Sequence, residues 1–280
     1  MANLIMKTIT KRIRHLVLFL ALAAGFLGIN AVFAANAARP VVSTSTPKTT
    51  SAGKLYCDKV VSLLSEIGQK LGDFNTKLQQ IRTQTASKIK ESRQKRDQEL
   101  KSVRDKWAAN RQEQFKALEG KAQTDAQKQA VAKFKSAVLS AITTRQQAVD
   151  AAIKAYRNGL DKIISDRKLA IDAAKTALRN SVKAAADKAK ADCDAGVDFQ
   201  TARQNLQASL KAAREKYTAD IQALEKNRQQ TMQQLVAARQ EAVKKAVDDF
   251  LATMEKLRVE LKAAFGENFG QATTTPQQSF

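Results

Sequence analysis

Apolar and small residues recur at steps of three and four through almost the whole middle of the chain. Stripes of this kind run from Val60 to Leu118, from Val131 to Val182 and from Leu206 to Leu261. Their mean spacing, about 3.6 residues, predicts amphipathic α-helices with only weak supercoiling. Because no stretch alternates apolar and polar residues with β-branched or aromatic enrichment, the sequence predicts no strand.

Two short segments carry signals that end one helix and begin the next. The first is Gly120 as a C-cap followed by Thr124 as an N-cap, with Gln127 as its reciprocal partner. The second is Gly196 followed by Asp198. The helices are therefore expected at about 54–119, 124–195 and 198–265.

Nothing else between these signals forbids a helix, since the three prolines, Pro40, Pro47 and Pro276, lie outside the stripes. Gly68 and Gly72 leave open a kink in the first helix. Gly159 is expected to be tolerated inside the second, at about 1 kcal/mol.

The predicted fold class is all-α: an elongated, coiled-coil-like antiparallel bundle of three long helices, running up-down-up. Short turns force neighbouring helices to be antiparallel. A rise of about 1.5 Å per residue makes each helix about 100 Å long. Arginines interrupt the stripes, so the core is expected to be thin and partly polar. They include Arg96, Arg145, Arg167 and Arg228.

The N-terminus has the pattern of a signal peptide. Four basic residues precede an apolar run, Leu16 to Ile29, and Val32-Phe33-Ala34 supplies small residues for cleavage after Ala34. Cleavage after Ala37 is the competing site, and uncleaved residues 16–35 would be just long enough to anchor the protein in a membrane. Residues 35–53 and 267–280, rich in Ser, Thr, Pro and Gln, are predicted to be a disordered linker and tail. The style of the signal favours a bacterial, extracytoplasmic protein of the periplasm, the cell wall or the medium.

The chain has two cysteines, Cys57 and Cys193. An isolated pair in an exported protein indicates a disulfide. A hairpin centred near residue 122 places Cys57 opposite about residue 187, so both thiols lie near the same end of the bundle. An intermolecular bond and free thiols are the alternatives.

The chain is strongly basic, with a net charge of +21. Removal of the first 34 residues, which contain four basic residues and no acid, would leave +17. Such a charge favours polyanionic partners, yet it also keeps a long helical protein soluble. The sequence leaves both interpretations open.

Residues for catalysis are sparse. The sole histidine, His15, lies in the predicted signal peptide. The mature chain therefore lacks the commonest general base and histidine metal ligands. The Asp192–Asp194 segment offers fewer ligands than a tetrahedral metal site needs, and Asp248 and Asp249 diverge on a helix. We expect no enzyme activity, no catalytic or metal site, no cofactor and no small-molecule substrate.

Three classes of function remain. The leading one is a structural or interaction protein of the cell envelope or extracellular space, with an unknown protein partner or with self-association. The second is a holdase-like extracytoplasmic chaperone. Composition and helical hairpins resemble periplasmic helical chaperones of the Skp type, although that family also needs a small β-rich body for which no strands are predicted. The third is a binder of anionic polymers, lipid surfaces or nucleic acid.

Overall fold

The computed structural model describes residues 51–266, and these residues form three long helices with no strand among them. Helix α1 spans Ser51–Lys121, α2 spans Asp125–Asp194 and α3 spans Phe199–Phe265. α1 passes through both Gly68 and Gly72 without ending. The predicted signal peptide and its cleavage site at Ala34 lie outside the described residues, as do most of the linker and the whole tail.

Local side chains and one glycine define the two connections. The Thr124 hydroxyl accepts a hydrogen bond from the Gln127 backbone N–H at 3.2 Å, and the Gln127 side chain accepts one from the Thr124 N–H at 3.2 Å. The Asp198 carboxylate accepts a hydrogen bond from the Thr201 N–H at 3.0 Å, which satisfies a free donor at the start of α3. Gly196 adopts a φ of 66°, the left-handed conformation that glycine tolerates best. At the first connection α1 continues through Gly120 and ends at Lys121.

Buried positions repeat every eleven residues. α2 buries small or apolar side chains at this interval, namely Ala152, Ile163, Ala174 and Ala185. In α3 the buried residues Ala202, Ala213 and Ala246 lie on one such row. Eleven residues make three turns at about 3.67 residues per turn, so the same face of a nearly straight helix stays inward over its full length.

The most extensive helix packing is between α2 and α3. Their shared face is rich in alanine, which lets two backbones approach closely. At Gly159 an added Cβ would lie 2.5 Å from Cδ2 of Leu235 on α3. Gly159 is therefore a close-contact position as well as a tolerated helical glycine, a role that its position in the sequence did not indicate.

Larger buried side chains concentrate near the connection between α1 and α2. Leu118, Val131 and Leu261, one from each helix, belong to one buried cluster. A second cluster joins Phe115 to Val138 and neighbouring α2 and α3 side chains. No polar or charged residue is fully buried among the residues whose burial is described. Both buried clusters found among the residues whose burial is described therefore lie at this end.

Candidate functional site

The predicted cysteine pair lies at disulfide distance. The Cys57 and Cys193 sulfurs are 2.05 Å apart and their Cα atoms 6.1 Å apart, across 136 residues of sequence. Beside them the Tyr56 ring packs edge-on against Phe199 at 5.7 Å between centroids. Residues of α1, α2 and the start of α3 therefore meet at this end. Burial raises the pKa of the Tyr56 hydroxyl, which has no hydrogen-bond partner among the described residues.

Three arginines of α1 bind three aspartates of α2 through paired hydrogen bonds. The pairs are Arg82–Asp172, Arg93–Asp161 and Arg104–Asp150, with N–O distances from 2.7 to 3.2 Å. Each arginine is eleven residues from the next, and so is each aspartate. Both partners of every pair therefore return to the same face of their helix. We call these three pairs the Arg–Asp ladder.

Two further ion pairs join the same helices, but in these the basic residue is on α2 and the acidic residue is on α1. Arg157 binds Asp97 at 2.6 and 3.0 Å, and Lys135 binds Glu119 at 2.8 Å. In all five pairs the two residue numbers sum to 254. The hydrogen bond from Arg157 lowers the pKa of the Asp97 carboxyl. The pairing register between α1 and α2 is thus constant from residue 82 to residue 119 of α1.

Two arginines of the apolar stripes, Arg167 on α2 and Arg228 on α3, share one carboxylate of α3. Glu225 accepts hydrogen bonds from Arg167 at 2.8 Å and from Arg228 at 2.7 Å. Burial raises the pKa of Glu225, but the two guanidinium groups outweigh it and hold the pKa below its ordinary value.

Arg145, another stripe arginine, and Arg239 of α3 lie over aromatic rings. The Arg145 guanidinium is 4.2 Å from the centroid of the Phe250 ring, and that of Arg239 is 4.7 Å from Tyr156. These distances are typical of cation–π contacts. Arg145, Arg167 and Arg239 therefore bridge α2 and α3 through one charge pair and two ring contacts, whereas Arg228 pairs with Glu225 within α3.

A groove of about 510 Å³ lies between α1 and α2. We call it the Arg111 groove. Its charged and polar lining includes Asp97, Arg104, Arg111, Thr143, Gln146 and Asp150. Burial lowers the pKa of Arg111, and burial together with Arg111 and Arg104 lowers the pKa of the neighbouring Arg145. The guanidinium groups of Arg111 and Arg145 therefore repel each other in a partly desolvated place, although three carboxylates also line the groove.

The acidic residues weighed as chemical groups in the sequence are placed in ion pairs. Asp192 binds Lys188 and Asp194 binds Lys190, while the intervening cysteine lies at disulfide distance from Cys57. Asp248 and Asp249 each pair with the lysine four residues earlier, at Lys244 and Lys245. No group of three or more His, Cys, Asp or Glu is positioned to hold a metal within residues 51–266.

No known family, curated protein or solved structure matches this chain. Within the described part of the chain, no helix is long and apolar enough to cross a membrane.

Proposed function

We propose that this protein is an exported, non-enzymatic structural or interaction protein of the cell envelope or extracellular space. Its three helices run up-down-up as one antiparallel bundle, and this bundle acts as a stiff spacer between the two ends of the chain. The linker predicted before α1 would connect the spacer to the signal region or to the mature N-terminus.

The constant register between α1 and α2 is the observation that carries this proposal. As the residue number rises along α1, the number of its partner on α2 falls by the same amount, which is the relation that two antiparallel helices require. Bidentate arginine–carboxylate pairs add geometric specificity to this register. Their individual free energies are modest because both partners remain partly in solvent.

Contacts between α1 and α3 support the third element of the arrangement. Tyr56 packs against Phe199, and Leu118 shares a buried cluster with Leu261. Both pairs differ by 143 in residue number, although they lie at opposite ends of α1. A constant difference is the relation expected for two parallel helices.

The length of the helices and the contacts at both ends of the bundle suit a spacer. α1 has 71 residues, which corresponds to roughly 105 Å at about 1.5 Å per residue. The Cys57–Cys193 pair fastens one end, and the apolar clusters around Leu118 and Phe115 fasten the other. A cysteine pair at bonding distance is also compatible with an oxidising, extracytoplasmic compartment.

Cell fractionation combined with small-angle scattering tests the proposal. We expect the processed protein outside the cytoplasm, and we expect a scattering profile of three helices side by side with a maximum dimension of roughly 110 Å, from the length of α1 and the rise per residue. A compact particle half as long would contradict the spacer. Strong suppression of the aggregation of an unfolded client protein would instead favour the chaperone class.

A further inference from the structure

Three basic and three acidic side chains line the Arg111 groove, but the Asp97 carboxylate is bound by Arg157 from outside the lining. Its carboxylates are already bound: Asp97 pairs with Arg157, Asp105 with Lys101 and Asp150 with Arg104. Arg111 forms no hydrogen bond or ion pair with any described residue. It is therefore the cation of this groove that lacks a carboxylate.

The surroundings of Arg111 make that charge costly. The side chain is half-buried, and burial lowers its pKa. Arg145 lies near this charge: burial lowers the pKa of Arg145, and repulsion from Arg111 and Arg104 lowers it further. A partly desolvated charge without a counter-ion destabilises the folded state unless an anion compensates it.

One polar side chain of the groove also has a hydrogen-bond donor without an acceptor among the described residues. The Thr143 hydroxyl donates a hydrogen bond to the Leu139 carbonyl at 3.0 Å, so this hydroxyl does not donate to a ligand in the groove. Gln146 forms no hydrogen bond with a described residue, and its amide can donate. Arg111 and Gln146 thus offer a planar guanidinium and an amide on facing helices, a donor set suited to the oxygens of a phosphate group.

The geometry points to a phosphate-binding site in the Arg111 groove, in which Arg111 and Gln146 hold a phosphate-type anion between α1 and α2. The same chemistry could be supplied by a free phosphate or by the headgroup of an anionic lipid. A volume of about 510 Å³ holds such a group with space for the chain that carries it. This site is independent of the spacer role, because the register of the helices does not require it.

Titration of the purified exported protein with inorganic phosphate, followed by calorimetry and thermal unfolding, tests the site. Sodium chloride at matched ionic strength separates binding from general screening. We expect phosphate to raise the Tm of the wild-type protein. Arg111→Gln should weaken phosphate binding about tenfold or more, because it removes a charge-assisted hydrogen bond. Without phosphate the same variant should have a Tm at or above that of the wild type, since it relieves like-charge repulsion.

Lys106→Gln is the matched control, because Lys106 is exposed on the same helix and its substitution changes the net charge equally. It should retain the phosphate response. An equal loss in Lys106→Gln and Arg111→Gln, or no response of the wild type beyond that of chloride, would overturn the site.

Vesicles distinguish the two sources of phosphate. If the lipid headgroup is the source, vesicles of phosphatidylglycerol in phosphatidylcholine should bind the wild type and lose binding with Arg111→Gln, whereas pure phosphatidylcholine should bind neither. Vesicle binding that is the same in both variants, together with an absent response to inorganic phosphate, would contradict the proposal.

Discussion

Removal of the disulfide provides a quantitative test of how the ends of the bundle are fastened. Cys57 and Cys193 close a loop across 136 residues. In the chain-entropy model, a loop of this length restricts the unfolded chain by about 5 kcal/mol at 25 °C. We therefore expect Cys57→Ala combined with Cys193→Ala to lower the free energy of unfolding by about that amount, with the native helix content preserved.

Urea unfolding followed by circular dichroism measures this loss, with the slope against urea fitted for each variant. Wild-type protein treated with a reductant serves as the control and should match the double variant. Non-reducing mass spectrometry should find the bond within one chain. A loss below about 1 kcal/mol would mean that the first turns of α1 separate from α2 before the rest unfolds, and this would refute the treatment of the bundle as one cooperative unit.

Two further predictions concern charge and close packing. Ion pairs hold the pKa values of Asp97 and Glu225 below their ordinary range, and for Asp172 the bonds from two basic side chains outweigh burial in the same direction. Because these pKa values are lower in the folded state, the ion pairs stabilise the protein fully above the unfolded-state pKa of about 4, and this stabilisation is lost as pH falls through the folded-state pKa values. The Tm should therefore be level above about pH 5 and fall below it. A Tm that rises on acidification would contradict the ion pairs. Gly159→Ala should lower the Tm of the wild type, because the new Cβ meets Leu235. In a Leu235→Ala background the same substitution should instead raise the free energy of unfolding by about 1 kcal/mol, because helix propensity then dominates. Thermal unfolding of the four proteins should therefore show that Gly159→Ala changes the Tm in opposite directions in the two backgrounds.

Helix type and connections could be predicted from the sequence because their causes are local. Thr124 and Gln127 satisfy each other's backbone groups within four residues, and the Asp198 carboxylate accepts a hydrogen bond from the Thr201 N–H at the start of α3. A glycine with positive φ at Gly196 needs no tertiary information either. Gly120 was expected to cap α1, but the helix continues through it and ends at Lys121, since a helix can include a glycine near its end at small cost.

The interhelical contacts were harder to predict because they join distant residues. Arg82 and Asp172 are 90 positions apart, and their pairing depends on the register that the connection sets. A signal was nevertheless present: arginines eleven residues apart on one segment and aspartates eleven residues apart on the next. Arg145 and Arg167 were recognised as arginines in an apolar stripe, but their partners on α3, Phe250 and Glu225, were not.

The register itself was estimated only approximately. A hairpin centred near residue 122 placed Cys57 opposite about residue 187. The Arg–Asp ladder instead centres the pairing at residue 127, half of the constant sum of 254, which places Cys57 opposite residue 197. Cys193 lies within about four residues of that position, roughly one helical turn.

Matched deletion of one eleven-residue repeat from every helix tests the proposed bundle most directly. Removal of residues 94–104, 150–160 and 237–247 takes out both members of the two ion pairs that join α1 to α2 in that layer, Arg104–Asp150 and Asp97–Arg157, and keeps the remaining rows in phase. The quantity to measure is the yield of the Cys57–Cys193 bond within one chain. The matched variant should form it as the wild type does, whereas deletion of 94–104 alone shifts Cys57 by about 16 Å along α1 and should leave both thiols free. Equal bond formation in the two variants, or its loss in the matched one, would contradict the three-helix register.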